Sequence, residues 1–221
     1  MKALLPIILT SAVALSAQAR IIFEDNFESY SVGQSIDGKG GWVADESYKI
    51  VKTADGKGVF SGRTVADAAI THAIETQERT FYIGVDVDFS LSASNFYWIA
   101  AANGKGPDNT AGAIFNARDG KPLIAARIRK DSKKTKTGRP APYDVPARLV
   151  IEISSYGEKY SSTIWINPTS TSDTPIQTVT SALGVSELNT FFARRGSVSH
   201  SAMTMDNLII ATNFDEALNA K

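Results

Sequence analysis

The chain has 221 residues, with 23 basic and 23 acidic side chains, a formal net charge of zero and no cysteine. That balance gives no general attraction to nucleic acid or to an anionic membrane surface, and the missing cysteine excludes thiol nucleophiles, thiolate metal sites, disulfides and dithiol redox chemistry. The length suits one domain with a sizeable core.

Met1-Lys2 precedes an apolar run from Ala3 to Leu15 and then Ser16-Ala17-Gln18-Ala19, which has the small-x-small form of a signal-peptidase site. Residues 1–19 are expected to be a cleaved secretory signal, and residues 20–221 a single domain, secreted or periplasmic. The run is too short to span a bilayer as a helix, and no later stretch approaches that length, so no membrane span is expected in the mature chain. Residues 1–19 hold one lysine and no acid, so the remainder stays close to neutral.

Beyond residue 20, apolar and polar residues alternate with a period of two, and no stretch sustains a period of 3.6. Strands are predicted at Tyr48–Thr53, Ala69–Glu75, Thr80–Leu91, Phe96–Ala102, Gly112–Ala117, Leu123–Lys130, Ala147–Ser154, Ser161–Asn167, Thr190–Arg195 and Thr204–Ala211. Such a series without a long helix indicates an all-β sandwich or barrel. Residues 103–109 read as a loop, and Arg118-Asp119-Gly120-Lys121-Pro122 as a hairpin turn. Asn167-Pro168 ends a strand and opens the Thr/Ser-rich connection 169–174. Strand interiors are expected to be free of proline. Val185–Leu188, with Ser186 as cap, is a candidate helical turn; residues 214–221 are either a short helix or a frayed end.

The two ends carry a resemblance. Ile21 to Trp42, IIFEDNFESYSVGQSIDGKGGW, pairs an acidic D-x-F-E-x-Y-x-x-G pattern (Asp25, Phe27, Glu28, Tyr30, Gly33) with a glycine turn at Gly41 and Trp42. Met203 to Leu218, MTMDNLIIATNFDEAL, reads as a closing strand introduced by Asp206-Asn207-Leu208. Together they resemble secreted bacterial proteins with a concanavalin A-like, laminin-G-type jelly roll. The resemblance implies a two-sheet antiparallel jelly-roll sandwich whose first and last strands are neighbours. It also implies a structural calcium near the termini, for which the oxygen-bearing Asp25, Glu28 and Asp206 are the candidates; the other reading of Asp206-Asn207 is a turn or cap into the final strand. No other cofactor is required. Many proteins of that group end in a Pro-Glu-Pro sorting tail, which this sequence lacks at Lys221; simple release or periplasmic residence is the expectation.

Candidate chemistry begins in YIGVDVDFSL, residues 82–91, where Asp86 and Asp88 share a strand face about 7 Å apart, within reach of a glycosidase carboxylate pair. Glycosidases of the resembled superfamily carry E-x-D-x-E on one strand. Here the third acid is missing, so the solvated side of a half-buried strand is the leading reading and catalysis the alternative. His72, between Ile70 and Ile74, is either a satisfied, partly buried group or a lyase base. Gln77, Arg79 and Tyr82 would complete a lyase set, but Gln77 and Arg79 have the opposite parity to His72 and Tyr82. His200 lies in a polar loop, and no G-x-S-x-G nucleophile motif is present.

Residues 127–139, RIRKDSKKTKTGR, hold seven basic residues against one acid. Arg127 and Arg129 share a strand face, and Lys133, Lys134 and Lys136 follow in a loop, a patch able to hold a sulfated or uronic-acid polysaccharide; a solvated hairpin loop is the plain alternative. Without interleaved aromatics it does not suit nucleic acid. Trp98 and Trp165 are candidates for a sugar-stacking platform, with core packing as the alternative, and Trp42 reads as a core anchor. The leading functional expectation is a non-catalytic glycan-binding or matrix protein. The alternatives are a carbohydrate-active enzyme (glycoside hydrolase or polysaccharide lyase) and a structural protein–protein module.

Overall fold

The strongest alternation in the sequence becomes the longest strand. In β6 (Thr80–Ser90), Phe81, Ile83, Val85, Val87 and Phe89 are all at most 4% exposed, while Tyr82 and Asp86 are half-buried and Asp88 is exposed on the opposite face. The structure, a computed structural model, describes residues 19–54, 56–61, 68–76, 78–90, 96–104, 108–118, 121–129, 139–140, 145–196 and 202–219.

Two antiparallel sheets pack face to face. With strands numbered in chain order, one sheet runs β13 (Gln177–Ala182), β12 (Lys159–Ile166), β11 (Ala147–Tyr156), β6, β15 (Ala202–Ala211), β4 (Lys57–Ser61) and β3 (Tyr48–Lys52). The eighth strand, β1 (Ile21–Asp25), pairs with β15 from Asp25 opposite Leu208 to Ile21 opposite Ala211, so the first and last strands are neighbours. The seven-stranded sheet runs β10 (Arg139–Pro140), β9 (Lys121–Arg129), β8 (Thr110–Arg118), β7 (Phe96–Ala102), β14 (Thr190–Arg195), β5 (Ala69–Ala73) and β2 (Val43–Ala44).

The inner faces supply one continuous core, with Trp42, Tyr48, Phe89, Tyr97, Phe115 and Phe191 among its largest members. Each fully buried side chain of this size contributes about 1.5–3 kcal/mol over its exposed state. Polar groups inside are tied across it: the Ser162 hydroxyl donates to the Gly112 carbonyl of the facing sheet at 2.9 Å, and the Tyr48 hydroxyl to Ala68 O at 3.1 Å.

Three details differ from the sequence reading, and one of its two alternatives for the C-terminal residues is found. Strands β1, β2, β4, β10 and β13 were not predicted, because they are short, glycine-bearing or Thr/Ser-rich. Residues 185–188 form no helical turn. Pro122 lies inside β9 and Pro140 in β10, but the first is next to the strand's start and the second is in the edge strand, where a missing donor is tolerated. Residues 214–218 do form a helix, α1 (Phe214–Leu218), which Asn213 caps by accepting from the Glu216 amide at 2.8 Å.

Helix α1 lies on the outer face of the eight-stranded sheet. Phe214 meets Trp165 edge to face at 5.1 Å, and Val150, Ile209, Ala211 and Ala217 complete a small second core there. Gly84 permits the approach: a Cβ at that position would collide with the Ala217 carbonyl.

Candidate functional site

Asp86 and Asp206 sit directly opposite each other on β6 and β15, with their side chains on the outer face. Immediately after Asp206 the pairing shifts by one residue, so that two residues of β15 oppose one of β6, and Asn207 takes a left-handed φ of 46°. Asn is among the few side-chain-bearing residues that tolerate that conformation. The bulge resets the strand's parity: Met203 and Met205 point inward before it, Leu208 and Ile210 after it. It also aims Asn207 at its neighbours, with Asn207 Nδ2 donating to Asp86 Oδ2 at 2.8 Å.

Arg148, on β11 opposite Asp86, organises the rest. Its Nη1 donates to Asp86 Oδ1 at 3.1 Å and to Asn207 O at 2.8 Å, while Nε and Nη2 donate to Ala217 O at the end of α1. Both Asp86 oxygens are thus bonded to protein donors. Asp206 accepts from the Asn207 amide at 2.7 Å and from the Thr53 hydroxyl at 3.1 Å. Burial pushes its carboxyl up to about 6, assisted by the negative charges of Asp86 and Glu28 and opposed by those two hydrogen bonds. These groups, with Asp88 and Lys52, line a cleft of about 390 Å³.

The N-terminal motif forms a separate constellation. Asp25 Oδ2 accepts from the Trp42 indole and the Tyr30 hydroxyl, each at 2.8 Å, and Oδ1 from the Phe27 amide at 2.8 Å. Burial, with the Asp25 carboxylate second, raises the Tyr30 phenol to about 12. Glu28 instead binds the Lys57 amide at 2.6 Å, while Lys57 Nζ returns to the Glu28 carbonyl at 2.6 Å, fastening the entry loop to the β3–β4 hairpin. Asp25 is committed to three protein donors, and among the described residues no three His, Asp or Glu side chains gather closely enough to hold a metal ion. Asp206-Asn207 is a bulge within β15, not a turn before it.

His72 lies on the inner side of β5, stacked on Phe23 with centroids 3.8 Å apart, and its two ring nitrogens contact Ala73 O at 2.8 Å and Gly40 O at 2.9 Å. Those contacts leave the ring engaged on both sides. Tyr82 is on the outer face of the other sheet, against Phe214, so the two do not converge; Gln77 and His200 fall outside the described residues.

On the outer face of the seven-stranded sheet, Arg127 and Arg129 place their guanidinium carbons 4.8 and 5.5 Å from the ring centre of Trp98. Arg129 Nε reaches Asp108 at 3.3 Å. No such pair is found for Arg127 among the described residues, and burial, followed by the neighbouring Arg129, lowers its affinity for its proton. Lys133, Lys134 and Lys136 lie outside the described residues.

The tryptophan platform is corrected. Trp98 is fully buried and Trp165 is 8% exposed, and they occupy the outer faces of different sheets, so they offer no common surface. Trp165 is held under α1, its indole donating to Asp173 O at 2.9 Å. The sequence reading missed Arg148, and it took Asn207 for part of a turn or cap; both roles depend on pairings more than fifty residues apart.

No protein-family model and no curated protein matches the sequence. Solved structures do match in fold. The chain is similar to the CBM2 module of the evolved Dit of Lactobacillus casei BL23 phage J-1, at 8% identity over 88% of this chain and 96% of that one, with a TM-score of 0.56. It is similar to a conserved carbohydrate esterase from the Shiga toxin-encoding bacteriophage phi24B, at 14% identity over 89% and 100%, with a TM-score of 0.55. Peanut lectin follows at 10% identity over 89% and 98%, with a TM-score of 0.50. The fold is a concanavalin A-like, two-sheet jelly-roll sandwich. Among the described residues no helix is long and apolar enough to cross a membrane.

Proposed function

We propose that the chain is an exported, non-catalytic glycan-binding protein that holds anionic polysaccharide on the outer face of its seven-stranded sheet. The observation that carries this reading is the Arg127–Arg129 pair over Trp98, two adjacent cations partly drawn out of water, of which Arg129 is paired to Asp108. Like charges held this close favour an anion between or above them, and a guanidinium binds carboxylate or sulfate in a two-pronged geometry. Lys133, Lys134 and Lys136 follow directly in the sequence and extend the charge. Export rests on the form of residues 1–19.

The non-catalytic part of the reading rests on the acid–base candidates. Asp86 has both oxygens committed to Arg148 and Asn207, and both ring nitrogens of His72 are engaged by carbonyls. Neither is poised to exchange a proton with a substrate.

The test is retention of the purified protein on heparin and polygalacturonate, with soluble products assayed for new reducing or unsaturated ends. The reading expects retention that falls steeply with salt and is lost in Arg127→Gln/Arg129→Gln, with no new ends. New ends would establish an enzyme; absence of retention at any ionic strength would leave a structural protein–protein role.

A further inference from the structure

At the end of the sandwich where β6 begins, a cavity of about 670 Å³ opens between the β11–β12 hairpin and the segment joining β13 to β14. Its floor is apolar: Phe81, Ile153 and Leu188 are each at most 5% exposed. Tyr156 stands at its rim with 69% of its surface in solvent, next to a left-handed Gly157 at the hairpin tip.

Tyr160 supplies a second, independent observation. The residue is 2% exposed and lines the cavity, yet among the described residues its hydroxyl has no hydrogen-bond partner. Buried hydroxyls are nearly always paired, so an orphan at the base of a hollow marks a place where a ligand or water completes the structure. Burial, and after it the charge of Glu187, raises its phenol, and both residues line the cavity. Glu78, Glu187 and Thr76 also border an adjoining hollow of about 610 Å³, so the two form one groove longer than a single sugar ring needs.

We propose that this groove is a second saccharide site, distinct from the basic face and selective for neutral glycans, with Tyr156 stacking on a pyranose ring and Glu187 and Tyr160 bonding its hydroxyls. An exposed aromatic face suits the apolar side of a sugar ring, and carboxylates accept strongly from hydroxyl donors. Glu75, Glu78 and Glu187 outnumber Arg20 and Arg79 along the groove, so a uronic or sulfated sugar is disfavoured there. The site does not depend on the Arg127–Arg129 reading.

The purified protein is screened at high salt against an array of neutral and acidic glycans, and the best neutral oligosaccharide is titrated calorimetrically. Neutral binding weakened about tenfold in Tyr156→Ala, and weakened also in Glu187→Gln and Tyr160→Phe, with an unchanged thermal midpoint for the exposed Tyr156 variant, is the expected result. Arg127→Gln/Arg129→Gln leaves it unaltered, so loss of heparin retention and loss of neutral binding are separate outcomes. The absence of any neutral hit, a preference for acidic glycans, or neutral binding indifferent to Tyr156→Ala and Glu187→Gln overturns the proposal.

Discussion

Asp86 and Asp206 face each other across β6 and β15, but among the described residues only Asp86 forms an ion pair, with Arg148 at 3.1 Å, while Asp206 accepts from a hydroxyl and an amide. The asymmetry has a pH signature. Asp206 is raised from 3.8 to about 6 in the fold, so between those values the folded state binds the proton that the unfolded state has released. Stability therefore falls as pH rises through that window and stays reduced above it. Asp206→Asn is expected to be close to the parent at pH 4 and more stable by on the order of 1–2 kcal/mol at pH 7, after discounting for solvent screening. Urea denaturation at both values checks it; an unchanged difference between the two proteins refutes it.

Arg148 holds an ion pair and the carbonyls of Asn207 and Ala217 at once. Arg148→Met leaves all three acceptors without their donor and is expected to cost about 2–4 kcal/mol, below the full buried-pair range because Asp86 is about a third exposed. Arg148→Lys is expected to recover little of this, since one ammonium cannot reproduce the fork. Chemical denaturation of both variants distinguishes geometry from charge.

Gly84→Ala puts a methyl group where the Ala217 carbonyl lies. The helix then has to lift from the sheet, and Trp165, packed on Phe214, gains water. The expected result is a red-shifted tryptophan emission and a loss of about 2 kcal/mol, with the bulk of the β signal in far-UV circular dichroism retained.

The Asp25 hub separates cleanly by donor. Tyr30→Phe removes one hydrogen bond and is expected to cost about 1 kcal/mol, whereas Asp25→Ala strands the buried Trp42 indole and is expected to cost about 2–3 kcal/mol. Thermal unfolding of the two variants measures the ratio; equal losses would mean that the hub acts only through Tyr30.

Much of the architecture was legible because period-two patterning reports directly on burial. Ile83, Val85 and Val87 point inward as their alternation requires, and the pairing of β1 with β15 follows the resemblance at the two ends. The site was harder to read. Trp98 and Trp165 have the parity of outward-facing residues, and they do face outward, but α1 covers one and two arginines stack on the other. Parity names a sheet face without saying what lies on top of it. Likewise D-x-F-E-x-Y looked like a source of metal ligands, and its Asp25 is a hydrogen-bond acceptor for an indole seventeen residues away. Tyr156 and Tyr160 carried no local signal, because their significance lies in a groove assembled from three loops.

The position of β15 has a kinetic meaning. It lies between β6 on one edge and β4 with β1 on the other, so the last of the described strands in chain order is the one that closes the middle of the eight-stranded sheet. Until residues 202–211 are available, three strands keep unpaired edges and the barrier is set by contacts spanning most of the chain. Folding should therefore be slow and nearly all-or-none. A nascent polypeptide of this sequence stays pliable until β15 arrives, and a fragment ending before β15 is an aggregation hazard rather than a smaller working domain.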